Sequence, residues 1–360
     1  MKPIRILSKE LNLLGEVDNY LSFSFTRKYY TYGEFQLVTN IKIQNADKLN
    51  IGNILMVGND KFKVGLIRHK EIKINEVGEE MLTVKGYSLS HFLTQRITLP
   101  PEGVVQDTIE GNAEAVMKHY VKRNCLDIEV MEFPNFIISK NQNRGGNIKW
   151  SSRYKNLAEE LEKISRLTDI DFTIYPDFES KTYVFDVYDG RNFSANQDIN
   201  PPVIFSSKFD NVKSQEYVDS LIDYGNYAIV AGPGEGVDRE IIMMGSETAS
   251  GFEKSVILVD ARDLEDSNDL PARGNMKLQE HKRVTSFSTE VLPTGPFKYQ
   301  VDWDLGDIVT VQNKEWDVEV DTRITEITEI YEAGGFRLGV VFGEGPLTLG
   351  EKIKREIAGI

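Results

Sequence analysis

The strongest constraint on what this 360-residue chain can fold into is a pattern at both of its ends: short alternating apolar runs, each cut off by polar turn residues. Residues 20–26 alternate with period two, as a strand with one buried face must, and residues 35–39 repeat the pattern. The runs 54–57 and 62–67 flank Gly58-Asn59-Asp60-Lys61, a hairpin signal because Gly and Asn tolerate positive φ. Runs at 71–74 and 81–86 continue the meander. Closely spaced short strands from Ile4 to about Leu93 suggest a barrel or sandwich, and closure into a barrel would remove exposed strand edges. A second block of strands is expected at 203–209, 214–223, 227–231, 241–244, 255–259, 285–291, 299–301, 308–311, 315–320, 323–331 and 337–342.

Between the blocks the period changes. Over residues 105–124, Val105, Ile109, Ala113, Val116, Met117 and Tyr120 fall mostly three or four apart, which predicts a helix ending near Asn124. Leu157, Leu161, Ile164 and Leu167 predict a second helix over 156–167, and 270–279 a third. Runs at 171–175 and 183–188 read as strands joined by a turn at 176–181, while 141–147 reads as a mobile loop. The expected class is therefore α+β, mainly β. Its expected parts are a first β-barrel over 1–97, an α+β domain over 98–200 and a second β-barrel over 201–345 with an inserted segment around 236–283. A C-terminal segment, 346–360, follows. No strict sequence repeat relates the two strand-rich blocks, so any duplication is structural.

Charge and cysteine content narrow the partners. A formal net charge of -14 disfavours nucleic acid and anionic membrane, which select Lys/Arg surfaces. The single cysteine, Cys125, excludes an internal disulfide framework. Lys9 and Glu10 interrupt any secretory apolar region near the N-terminus, and no run approaches a membrane span. A chain made and folded in a cytoplasm is expected.

Catalytic readings find little to stand on. Gly232-Pro233-Gly234-Glu235-Gly236 lacks the Gly-Lys-Ser/Thr ending of a phosphate loop, and Glu235 would repel phosphate. His69, His91, His119 and His281 are scattered, without His-x-x-x-His spacing. Cys125 paired with His119 would be a nucleophile, but a helix C-terminus raises a thiol pKa, the wrong direction for reactivity. Abundant carboxylates leave a glycosidase pair open by counting alone. Asp302, Asp304 and Asp307 could hold Ca²⁺ but lack the EF-hand spacing, and turn capping explains them better. Asp304, Gly306 and Asp307 are read as a structural turn that starts a strand at Ile308. Tyr29, Tyr30, Tyr32 and Phe35 form an aromatic cluster, read as a subunit interface in preference to a carbohydrate platform. No catalytic, metal or cofactor site is expected.

The run Asp302-Trp303-Asp304-Leu305-Gly306-Asp307-Ile308-Val309-Thr310-Val311 resembles the second barrel of phage tail baseplate hub proteins, including the N-terminal part of siphophage tail-associated lysin (Tal) proteins. The order and spacing of Leu49-Asn50-Ile51-Gly52-Asn53-Ile54-Leu55, Val84-Lys85-Gly86-Tyr87-Ser88-Leu89 and Phe342-Gly343-Glu344-Gly345-Pro346-Leu347-Thr348-Leu349 extend the resemblance over nearly the whole chain. One departure stands out: many Tal proteins continue into a wall hydrolase or fibre, and this chain is expected to stop after the hub-like part. The resemblance implies two similar barrels per subunit, the first docking the tail tube, and a homotrimeric ring at the virion tail tip or baseplate. Such a ring adapts a hexameric tube, or distal tail protein, to a three-fold spike or fibre. The alternatives are a wall-degrading tail lysin and a carbohydrate-binding adhesin.

Overall fold

The computed structural model describes residues 1–74, 76–264 and 267–344. Its contacts divide the chain into two compact units, one of Met1–Gln215 with Thr289–Phe342 and a smaller one built on Glu216–Ser288.

The chain opens with seven strands, β1 (Ile4–Leu7), β2 (Leu13–Val17), β3 (Ser22–Lys28), β4 (Glu34–Asn40), β5 (Ile54–Val57), β6 (Val64–Ile74) and β7 (Glu80–Ser88). They lie in the order β3-β4-β7-β6-β5-β1-β2, all antiparallel. Period-two alternation gives each strand one apolar face. Ile4, Ile6, Phe23, Phe25, Phe35, Leu37, Leu55, Val57, Ile67, Leu82 and Val84 all join a single buried cluster, so the sheet curls around them. The runs predicted separately at 62–67 and 71–74 are one strand, β6, carried past a register shift between Ile67 and His69. Phe62 stays outside it, in the preceding turn.

The α+β stretch follows: β8 (Asp107–Asn112), α1 (Ala113–Lys122), β9 (Phe136–Ile138), β10 (Asn147–Ser152), α2 (Leu157–Thr168), β11 (Asp171–Asp177) and β12 (Thr182–Tyr188). The predicted helix over 105–124 is corrected here. Its first third is β8, paired with β10, and α1 starts only where the Asn112 side chain accepts the Ala115 amide at 2.9 Å. Val105, Ile109 and Ala113 fall four apart by coincidence. Helix α2 matches the prediction closely, because Asn156 caps it and Leu157, Leu161 and Ile164 are fully buried. Residues 141–146 are irregular, yet the expected mobile loop is tethered. Fully buried Glu114 accepts the main-chain amides of Gln142 at 3.0 Å and Arg144 at 2.9 Å.

After β13 (Ile204–Ser206), β14 (Val212–Ser220) carries the chain into the smaller unit. There β15 (Tyr227–Ala231) pairs antiparallel with β16 (Ile241–Gly245) and parallel with β17 (Val256–Asp260). Helix α3 (Leu270–Glu280) covers one face of this sheet. Ala228, Val230, Val259, Ala261, Leu264 and Leu270 make the core between them.

The return strand β18 (Val284–Val291) leads to β19 (Ile308–Asn313), β20 (Val318–Glu332) and β21 (Gly335–Gly343). Strand β20 spans the two runs predicted at 315–320 and 323–331. Its first part pairs with β19, and its second part pairs with both β21 and β3. The predicted strand at 299–301 is instead a turn. Gln300 has φ 64, and the Lys298 carbonyl accepts the amides of Val301 and Asp302, which lets Trp303 be fully buried. The end of the Phe342–Leu349 motif and the 346–360 segment lie outside the described residues.

Candidate functional site: a buried polar seam

The turn Asp304-Leu305-Gly306-Asp307 sits at the centre of the larger unit's polar interior. Gly306 has φ 88, a conformation that strains any residue with a Cβ, and a Cβ there would meet the Tyr29 ring at 2.5 Å. Gly190 crosses beside it so closely that its own Cβ would lie 1.7 Å from the Gly306 carbonyl oxygen. Asp307 accepts the Asp304 amide at 2.8 Å, and Asp304 accepts the Leu305 amide at 2.8 Å. Asp302 accepts the Lys298 amide at 2.6 Å. Arg191 clamps Asp307 through Nε at 3.2 Å, Nη2 at 2.7 Å and its own amide at 2.9 Å. The three aspartates therefore cap turns, and two of them, Asp304 and Asp307, also bind arginine. Among the described residues, no group of three or more His, Cys, Asp or Glu side chains is arranged to hold a metal.

From this turn a polar seam runs to the N-terminal strands. Arg27 on β3 donates to Asp304 and to the Tyr299 hydroxyl at 2.7 Å. Burial opposes the Arg27 charge, but Tyr299 and Asp304 hold its pKa well above the usual value. Lys63, 1% exposed, donates to Glu329 on β20 and to Gln300 at 3.0 Å, with Asp60 at 3.4 Å. Glu329, 2% exposed, also accepts the Tyr331 hydroxyl at 2.5 Å. Burial pushes the Glu329 pKa up, and Lys63 with the surrounding hydroxyls overcomes that and holds it below the usual carboxylate range. Lys63 is shifted down, chiefly by burial. Such a pair is costly to form and costlier to break.

A second branch reaches the α+β stretch. Arg323 on β20 donates from Nε at 2.9 Å and Nη2 at 2.5 Å to Asp169, the residue that ends α2, and stacks over the Tyr29 ring. Tyr30 donates its hydroxyl to Asp169 at 2.5 Å and its amide to Asp171 at 2.9 Å. Asp171 also accepts the Tyr188 hydroxyl, and burial pushes its pKa up to about 7.

The aromatic cluster is thus mostly internal. Tyr29, Tyr30 and Phe35 are 2%, 7% and 3% exposed, and Phe35 stacks on Phe25 within the core. Of the four, Tyr32 alone is half-buried, with its ring edge-on to Tyr87 and His91. His119 is held by Asp107 at 2.9 Å, and burial pushes the Cys125 thiol up to about 12. Glycines 234 and 236 line a shallow depression with Arg239 and Arg262, whose guanidinium groups are both taken by Asp260.

Sequence reading missed Arg27, Lys63, Asp169, Asp171, Arg323 and Glu329. For two of them a signal was present. Arg27 continues the inward series Phe23, Phe25, and Glu329 stands between the inward Ile327 and Tyr331. A charge at an inward position of a period-two run demands a buried partner. The remaining partners lie far apart in sequence.

Comparison with known proteins agrees with this geometry. The model of the Siphovirus ReqiPepy6 Gp37-like protein family matches residues 3–344. No curated protein matches the sequence. Among solved structures, the 43 kDa tail protein of prophage MuSo2 from Shewanella oneidensis is similar, with a TM-score of 0.61 and 12% identity over 95% of this chain and 98% of that one. The tail protein from Neisseria meningitidis MC58 gives 0.59 and 12% over 96% and 97%. Prophage tail protein gp18 from Listeria monocytogenes EGD-e gives 0.56 and 9% over 100% and 99%. The expected mainly β fold of the tail and baseplate-hub kind is borne out, as is the resemblance that suggested it. The chain belongs to the Siphovirus ReqiPepy6 Gp37-like family and is a structural phage tail protein.

Proposed function

We propose that this tail protein is a hub subunit of the tail tip or baseplate, and that three copies form a ring joining the tail tube, or a distal tail protein, to a spike or fibre. The observation that carries the reading is β20. This one strand binds β19 with its first part and β3 with its second, which ties the N- and C-terminal strand blocks into a single sheet braced by the buried polar seam. A body of that kind transmits load between what it holds on either side. Within it we assign 1–97 as the tube-docking barrel and 201–345, with its insert around 236–283, as the second barrel, related to the first by about one-sixth of a turn in a three-fold ring. Tyr32 is the residue of the aromatic cluster with surface left to offer a neighbour. The subunit is made in the host cytoplasm and works without hydrolysing cell wall. The seam carboxylates Asp169, Asp304, Asp307 and Glu329 are committed to Arg and Lys partners, and Asp171 is buried and taken by the Tyr30 amide and the Tyr188 hydroxyl, which leaves them poorly placed for general acid–base work on cell wall.

Electron cryomicroscopy of the assembled particle tests the reading. The expected result is three copies around the tail axis, with a lumen poor in Lys and Arg. A two-fold ring, or a lumen lined by basic side chains, overturns it. Release of fragments from peptidoglycan by the pure protein would overturn the non-enzymatic part alone.

A further inference from the structure

At one point of the seam a buried amine, a buried carboxylate and a side-chain carboxamide meet. Lys63 and Glu329 are almost wholly buried and hold each other. The third member, Gln300, is oriented from both sides. Its Nε2 donates to Asp60 at 2.8 Å, so its Oε1 faces Lys63, whose Nζ donates to it at 3.0 Å. Aromatic side chains close the surroundings: the Tyr299 ring centre lies 4.9 Å from Nζ, and the Tyr331 hydroxyl bonds Glu329.

A buried ion pair does not by itself call for the carboxamide. Lys118, the other buried lysine among the described residues, also binds a buried glutamate, Glu114. Its remaining hydrogen bonds go to the Ser139 hydroxyl and the Lys140 main-chain carbonyl. Only at Lys63 does the amine of such a pair contact a side chain that it can acylate itself upon.

A lysine amine attacks an acyl carbon once it has lost its proton. Burial outweighs the pull of Glu329 and shifts the Lys63 pKa down, toward the free amine. Glu329 is bonded to that amine and is the group in place to take the proton. Fixing all three groups in one fold replaces a bimolecular encounter with an internal one. The reaction need happen only once in the life of the molecule, so it can be slow.

We propose that Lys63 and Gln300 join in an internal isopeptide bond, with Glu329 as the proton acceptor. Nζ of Lys63 attacks Cδ of Gln300; the Nζ–Cδ bond forms and the Cδ–Nε2 bond breaks. Of the three ammonium protons, one passes to Glu329, one goes to the departing Nε2, and one stays on the new amide. Nε2 leaves as ammonia, and because Gln300 is exposed it has an open way to water. Glu329 keeps its proton, so no bare charge remains in the interior. The step consumes nothing but the two side chains. The bond would link residues 237 apart in sequence and tie the turn before β6 to the turn before β19. It would give the seam a covalent member that shares load with the β3–β20 ladder.

Intact-mass spectrometry of the full chain tests this. The folded wild type should be lighter than its sequence by one ammonia, and digestion should yield a branched peptide joining Lys63 to Gln300. Chain recovered from inclusion bodies and kept in guanidinium chloride should have its full mass and lose ammonia only on refolding. Q300A removes the acyl group at an exposed position and leaves the ion pair in place. It should show a wild-type circular dichroism spectrum and its full sequence mass, which keeps the test open where E329Q does not fold. Folded E329Q should also keep its full mass. A folded wild type at full mass overturns the inference. Ammonia loss that persists in Q300A, or that occurs in the unfolded chain, places the lost nitrogen elsewhere and overturns it too. A branched peptide that forms undiminished in E329Q overturns the part given to Glu329.

Discussion

The larger and smaller units solve the same problem, a sheet with two faces, by different means. The larger unit fills its interior with aromatic rings and then admits charges, each matched by a partner from a distant part of the sequence. The smaller unit has no comparable set of buried ion pairs among its described residues. Its core is aliphatic, one helix deep, and its other face is left apolar and open. Buried ion pairs add little net stability, but they punish every wrong register, because a misplaced strand strands a charge. The larger unit is therefore specified from within. The smaller one is specified by burial alone, and on one side that burial is unfinished.

Four substitutions break or sharpen this contrast. K63M, which removes one member of the Lys63–Glu329 pair, should have the largest effect, on the order of 3–5 kcal/mol in chemical denaturation, because Glu329 is left charged and buried. A loss below about 1 kcal/mol would mean that the seam does not specify the larger unit.

Asp171 should matter next, and in a pH-dependent way. Its folded pKa of about 7 lies above the unfolded value near 4, so the native state binds the extra proton between those limits. Its contribution is complete below about pH 4 and is lost as pH rises through about 7, a change of about 1.4 kcal/mol per unit at most. Asp189, also raised by burial, acts in the same direction. Glu114 and Glu329 are held low, so their contributions fade only at more acid pH. D171N should flatten the fall in melting temperature from pH 4 to 7, leaving the smaller Asp189 share. An unchanged slope would remove Asp171 from the account.

G306V should cost more than about 1 kcal/mol, through positive φ and the approach to Tyr29. Thermal melting equal to wild type would show that this turn is not under constraint. L258S, on the open face of the smaller unit, should change the melting of the isolated subunit least, by no more than about 0.5 kcal/mol. A larger loss would mean that the face is covered within the subunit.

Much of this architecture could be read from residue order. Alternation found the strands of both blocks, and capping Asn156 with its leucine stripe found α2. Alternation fails where chain direction is set by something other than burial. Residues 105–112 carry helix-like spacing but Asp107–Asn112 are held as a strand by β10, and 299–301 carry strand residues but turn because Trp303 must reach the core. The turn at Gly306 was legible from Asp and Gly chemistry. The seam was legible only as isolated inward charges, Arg27 and Glu329, because its pairings are set by tertiary folding. The tyrosines at 29 and 30 show the converse. Their crowding is plain in the sequence, but their burial depends on Asp169 and Asp171, about 140 residues away.

Strand β20 also sets a timetable for the molecule's birth. Thr26 on β3 bonds Thr328 at 3.0 Å across a separation of 302 residues. As the chain leaves the ribosome, β3 has β4 beside it almost at once, but its other edge stays open until β20, 302 residues further on at the Thr26–Thr328 contact, has been made. Contacts of such long range are slow to close, because loop entropy is spent before any bond rewards it. A nascent chain therefore presents a bare strand edge until β20 emerges, and one terminated before β20 presents it permanently. Within one subunit only β20 seals that edge, so the same strand that unites the sheet is the last requirement for closing it.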